Sequence, residues 1–339
     1  MFAPVDQTAM KLARRVLYIL LGCIVFLNVV LAFHAYRFTY FYDNSQRLKT
    51  RKAEEYSTGE KIEGALRGMK ILKSVVDQVP TVPYDTVQLR TDDGLTLEAW
   101  YLPAANARGT VILSHGHASN KSRILPEIQH FHALGFNALA YDFRAHGNSA
   151  GNVCTIGYHE VLDLKAAYDH VAQKDALPIV LWGVSMGAAT TLKALADYPE
   201  LKPARVILEC PFGSLQEAVE GRVRTMHLPV HPTSTLLMVW GSVERSMNSF
   251  AYRPADYARS LRVPVLLNWG ALDQRVLRSE TDAIFANLGT QDKRLVVYQQ
   301  SKHESYCQKE PARWKAAVEA FLEPIPQRLS EEPVAVAKN

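Results

Sequence analysis

Three residues of the types that can form a nucleophile, base and acid occur in the order Ser185, Asp273, His303, each on the short stretch after an apolar run. Ser185 lies in Gly183-Val184-Ser185-Met186-Gly187, after the run Ile179 to Trp182 and before a helical pattern that opens at Ala188. The pentapeptide matches G-x-S-x-G, in which a strained strand-to-helix turn lifts the serine hydroxyl clear of a sheet edge. Unpaired N–H groups and the positive end of the helix dipole would then face the oxygen, favouring the negative charge of acyl transfer. A second match, Gly147 to Gly151 around Ser149, has no strand before it and no helix after it, and reads as a glycine-rich loop.

A serine nucleophile needs a base, and the base needs an orienting acid; with this motif they follow in the order Ser, Asp or Glu, His. Asp273 falls just past the run Val263 to Asn268, and His303 just past Arg294 to Tyr298. Glu209, at the end of the run from Arg205, is the rival acid. Two N–H donors must also hold the tetrahedral oxygen, and losing one costs roughly 2.7–4 kcal/mol. Met186 supplies one, and His117, in His115-Gly116-His117-Ala118 after Thr110 to Ser114, is the expected second. The His117 side chain either reaches substrate or sits on a solvated loop, whereas His115 reads as structural. Asp142 and Arg144 read as residues that hold loops together. His130, His132, His159 and His170 fall in expected helices, and His34 lies beside the N-terminal apolar segment, where packing or surface roles fit them. His227 and His231 are separated by Pro229 and followed by Pro232, which disfavours the helical geometry of a metal pair. No metal and no organic cofactor is expected, and G-x-G-x-x-G is missing after the first parallel strand.

These residues need elements to present them. Thr86 to Arg90 and Leu95 to Tyr101 alternate around Asp93-Gly94, the pattern of a β-hairpin. Beyond it short apolar runs alternate with helical patterns at Ile124 to Leu134, Tyr158 to Gln173, Met186 to Tyr198, Glu280 to Leu288 and Pro311 to Leu322. This alternation predicts an α/β fold: a mostly parallel sheet with helices on both faces and ligands beyond the carboxyl ends of its strands. Only Pro211 to about Ala258 breaks the rhythm. An insertion of that length reads as a helical cap, with an apolar patch from Leu236 to Trp240.

The first 43 residues read as an N-terminal anchor with a single transmembrane helix over about 16–33, preceded by Lys11, Arg14 and Arg15 and followed by Tyr36, Phe38, Tyr40, Phe41 and Tyr42. The competing reading is a cleaved signal peptide. Basic residues on both sides give the positive-inside rule no clear direction, and the catalytic domain is expected on the far side from the basic N-terminus. Residues 44–82 read as a linker with an amphipathic helix between Ser57 and Val76, placed either on the domain or on the membrane surface. The main domain then spans 83–325, with its cap over about 211–258, and a tail covers 326–339. The 339 residues are 48% hydrophobic, enough for a sizeable core, and the net charge of +4 comes without an aromatic-and-arginine pattern, so no nucleic-acid partner is expected. Cys23, Cys154, Cys210 and Cys307 have no disulfide-framework or metal spacing.

Across roughly Pro83 to Leu322 the chain resembles the α/β-hydrolase superfamily of serine hydrolases, through His115-Gly116, Tyr141-Asp142-Phe143-Arg144, Gly183 to Gly187, Trp269 to Asp273 and His303. The resemblance implies an eight-stranded, mostly parallel sheet. It is closer to membrane-anchored esterases, lipases and thioesterases and to domains labelled serine aminopeptidase. It implies cleavage of a carboxylic ester or thioester through an acyl-serine. The alternatives are a peptidase, or a non-catalytic module that binds an acyl ligand or partner.

Overall fold

The structure, a computed structural model, describes residues 7–46, 48, 57–174 and 176–325. Helix α1, Gln7–Thr39, leads into strand β1, Phe41–Tyr42; helix α2, Thr58–Arg67, precedes strand β2, Ile71–Leu72, which pairs in parallel with β1. The main domain continues with β3 Asp85–Arg90, β4 Thr96–Leu102, β5 Thr110–Ser114, α3 Leu125–Ala133, β6 Asn137–Tyr141, α4 Val161–Lys174, β7 Ile179–Val184, α5 Met186–Asp197 and β8 Arg205–Glu209. It closes with α6 Leu215–Thr225, α7 Thr233–Arg245, α8 Pro254–Tyr257, β9 Val265–Gly270, α9 Arg278–Asn287, β10 Lys293–Tyr298, α10 Tyr306–Lys309 and α11 Pro311–Leu322.

Strands β3 to β10 form one eight-stranded sheet in the order β10-β9-β8-β7-β5-β6-β4-β3. The β3–β4 hairpin and the β4–β6 pair are antiparallel, and every other pair is parallel. The unbroken apolar runs are explained by burial on both faces. Leu164 of α4, Leu192 of α5 and Ile284 of α9 cover one face, and Phe131 of α3 with Trp314 and Phe321 of α11 cover the other. Because β7, β8, β9 and β10 run the same way, the segments after them all emerge at one edge.

Two local expectations are corrected. The amphipathic helix expected between Ser57 and Val76 ends at Arg67, because Gly68 takes φ +78 and breaks the helical path, after which Ile71 and Leu72 are drawn into pairing with Phe41 and Tyr42. Helix α4 starts at Val161 rather than Tyr158, since the Glu160 carboxylate accepts the N–H groups of Thr155 and Gly157 and holds the preceding residues in a turn.

The insertion between β8 and β9 is a helical cap made of α6, α7 and α8. Its apolar patch lies on α7, which packs against the end of α1. Over its first three-fifths α1 is exposed; from Asn28 one face turns inward, with Leu31, Ala35 and Thr39 buried at a spacing of four. The Trp240 indole donates to Asn28 Oδ1 at 3.3 Å, and Arg245 Nε donates to Thr39 Oγ1 at 2.7 Å with its guanidinium 4.7 Å from the Tyr36 ring. Phe41 is wholly buried in the domain core. The segment expected as a separate anchor thus has its last turns packed into the domain. Residues 49–56 of the linker and the 326–339 tail lie outside the described residues.

Candidate active site

Ser185 stands between β7 and α5 with φ 52 and ψ −113, a backbone conformation costing a non-glycine residue about 1–3 kcal/mol. Neighbouring contacts hold it there. The Ser185 N–H donates to the Glu209 carbonyl on β8 at 2.8 Å. A Cβ on Gly187 would come within 2.2 Å of the Ser114 carbonyl oxygen, and one on Gly183 within 2.6 Å of the Gly187 backbone, so strand, turn and helix meet only through glycines.

The Ser185 Oγ lies 2.9 Å from His303 Nε2, and His303 Nδ1 lies 2.7 Å from Asp273 Oδ2. The other Asp273 oxygen accepts the N–H groups of Arg275 and Val276 at 2.8 and 3.0 Å, which fixes the buried carboxylate. With Nδ1–H donating to Asp273, Nε2 is left to accept from the serine. Burial opposes charging of His303, but Cys210 and Asp273 outweigh it and raise the ring to about 10. Glu209, the rival acid, is turned away: its Oε1 accepts from Trp182, Asn268 and Trp314, and burial raises it to about 7.

Cys210 is the neighbour that sequence reasoning missed. It follows Glu209 at the end of β8 with φ 39, and its sulfur lies with the donor atoms of Asp273 and His303 inside a 4.8 Å group. Its only signal in the sequence is that position, one residue beyond a strand whose end adjoins the nucleophile. The three donors could in composition bind a metal, but Asp273 and Ser185 already occupy both ring nitrogens of His303.

A Cβ on Gly116 would lie 3.7 Å from the Ser185 Cβ, which puts the loop carrying His117 against the serine; Met186 follows it directly as the first residue of α5. The half-buried His117 side chain packs against the end of α1 and β1. It stacks on Phe38 at 4.7 Å and 21° and meets the Phe41 ring edge-on at 5.2 Å, and burial, His146 and the cations Arg222 and Arg275 push it down to about 3. His115 is buried and accepts the Phe143 N–H at 3.1 Å. Ser149 is buried in its loop, donating to the Asp142 carbonyl at 2.6 Å. Asp142 pairs with Lys121, and Arg144 bridges Asp93 and Asp163, each at 2.7 Å, as loop-holding residues would. The sole ion contact of His231 is with Glu220 at 3.9 Å among the described residues.

Residues 105–254 match the family described as serine aminopeptidase, S33. An uncharacterized protein of Mycobacterium tuberculosis is 29% identical over 217 residues, 62% of this chain and 69% of the relative. An uncharacterized membrane protein of Saccharomyces cerevisiae is 29% identical over 142 residues, 41% of this chain and 49% of its own length. Among solved structures, an esterase of Pyrococcus furiosus superimposes with a TM-score of 0.63 at 26% identity, covering 74% of this chain and 96% of the esterase. Its sheet order, its capped α/β architecture and these likenesses make the chain a hydrolase of the α/β-hydrolase superfamily.

Proposed function

We propose that the chain is a serine hydrolase that cleaves carboxylic esters or thioesters, with Ser185 as nucleophile, His303 as base and Asp273 as orienting acid. The observation that carries this reading is the continuous line of hydrogen bonds from Asp273 through His303 to Ser185, at 2.7 and 2.9 Å. Ser185 Oγ attacks the carbonyl carbon while its proton passes to His303 Nε2, and the resulting oxyanion is held by the N–H groups of Met186 and His117. Collapse of the tetrahedral adduct breaks the ester bond; the departing alcohol or thiol takes the proton from Nε2 and leaves an acyl-serine. Water then repeats the sequence, releasing the acid and restoring the serine.

The esterase likeness favours esters over amides, and an amide would also need its leaving nitrogen protonated and a peptide backbone positioned. The peptidase reading keeps one support, the name of the matching family. A fluorophosphonate probe followed by peptide mapping tests the assignment: the adduct belongs on Ser185, and an adduct on Ser149, or a folded chain inert to the probe, would overturn it.

In the same reading α1 is a retained anchor, since its stretch Met10–Thr39 is long and apolar enough to cross a membrane. The hydrolase domain would span 83–325 with its cap over about 211–258.

A further inference from the structure

The end of the apolar helix is also a wall of the site. Phe38, whose ring stacks on His117, lies five residues beyond Phe33, the last residue of the expected span. At 1.5 Å per residue that is about 7.5 Å along the helix, close to the depth of one headgroup layer. The loop holding Phe38 in place is the one that abuts Ser185. Ser185 therefore lies beside the end of α1 at which the chain enters the domain.

The cap faces the same way. Trp240 meets Asn28, and Arg245 meets Tyr36 and Thr39, so α7 runs in the same direction as α1 and its first turns lie on the bilayer side. The cap leaves Met226, Leu228, Val239 and Val243 exposed, Val243 at 66%, and Val29 and Phe33 are exposed on α1, the helix against which α7 packs. Exposed apolar residues on a cap helix packed beside a membrane-spanning helix are what a membrane interface would cover.

We propose that the substrate is an acyl ester lipid taken directly from the bilayer, with the α6–α7 face of the cap seated in the membrane interface beside α1. The proposal rests on the ester-hydrolase reading above and on α1 crossing a bilayer. A long-chain lipid can keep its tail among its neighbours while its carbonyl rises to Ser185. The cap helix that packs on the anchor then serves as the rim over which the lipid passes.

The test uses the full chain in phosphatidylcholine vesicles. In a Cys23→Ser background, Val243→Cys is labelled with nitrobenzoxadiazole and challenged with doxyl-labelled phosphatidylcholine. Lys202→Cys, just before β8 at the opposite edge of the sheet, is the control. Fluorescence should be lost at position 243 and kept at 202; an unquenched label at 243 refutes the seated cap. In parallel, the double variant Val239→Glu/Val243→Glu should lose about tenfold or more of its turnover of vesicle-held 4-methylumbelliferyl oleate while water-soluble 4-methylumbelliferyl butyrate is cleaved as before. Equal loss on both esters, or loss on neither, counts against delivery from the bilayer. Quenching of the label at 243, together with a wild-type chain that cleaves neither ester, would uphold the seated cap and reject the ester lipid, locating the failure in the hydrolase reading.

Discussion

At the scale of residues, the proposed relay is a single unit, and units of this kind fail together. Ser185→Ala and His303→Ala should each lower kcat by about 10⁴ or more on a soluble ester, and combining them should add little. Asp273→Asn should cost a similar or smaller factor, because the asparagine no longer fixes the tautomer in which Nε2 accepts the serine proton. Near-normal activity in that variant would remove Asp273 from the relay. The pH profile follows from the same geometry. His303 must be neutral to take a proton, and its surroundings raise it from 6.5 to about 10, so activity should climb with pH along a limb displaced to the alkaline side of an ordinary histidine. Asp273, hydrogen-bonded to the ring at 2.7 Å, is among the groups that raise it, so Asp273→Asn should slide the limb to lower pH in whatever activity remains. A limb unmoved in Asp273→Asn, or one sitting at the ordinary value in the wild type, would contradict this account.

At the scale of elements, helix α1 and the loop proposed to supply an oxyanion donor are joined through the stacking of Phe38 on His117. An aromatic pair of this kind is worth about 0.5–1.5 kcal/mol, and as much in a catalytic barrier is up to roughly tenfold in rate. Phe38→Ala should therefore lower kcat on a short soluble ester by up to about tenfold with KM little changed, and Phe38→Trp should restore it. If the alanine variant instead raises KM alone, the helix end touches substrate rather than steadying the His117 N–H. Helix α7 has a comparable double duty. Met238 packs inward with Phe212, Leu215 and Trp269, while Trp240 and Arg245 reach α1, so cap, α1 and sheet edge are coupled through one helix.

At the scale of the whole molecule, the chain combines a sheet of eight strands with a 33-residue helix that leaves the domain at its active edge. We propose that the domain lies on the far side of the membrane from the basic N-terminus. Protease added to intact cells or sealed vesicles should digest it; digestion only after the membrane is breached would reverse the topology, and a mature N-terminus near Phe33 would replace the anchor with a cleaved signal peptide. The docking of residues 28–42 has a further consequence for the molecule. Cutting the chain just after residue 43 would remove Leu31, Ala35 and Phe41, which are buried in the domain, along with the rest of the long apolar helix α1.

The sequence alone determined the sheet, because runs such as Thr110 to Ser114 and Ile179 to Trp182 carry their burial in their own composition, and because the G-x-S-x-G turn is a local steric solution. It also determined that Ser185, Asp273 and His303 would share an edge, since each follows a strand of one parallel set. Only the tertiary structure shows which of two carboxylates at the ends of neighbouring strands lies against His303: Asp273 hydrogen-bonds its ring, whereas Trp182, Asn268 and Trp314, from elements far apart in the chain, hold Glu209. The same holds for His117 and for the Leu236 to Trp240 patch. Their partners lie on α1, some 80 and 200 residues earlier, and local pattern carries the apolar character of a face but not the identity of the surface that will cover it.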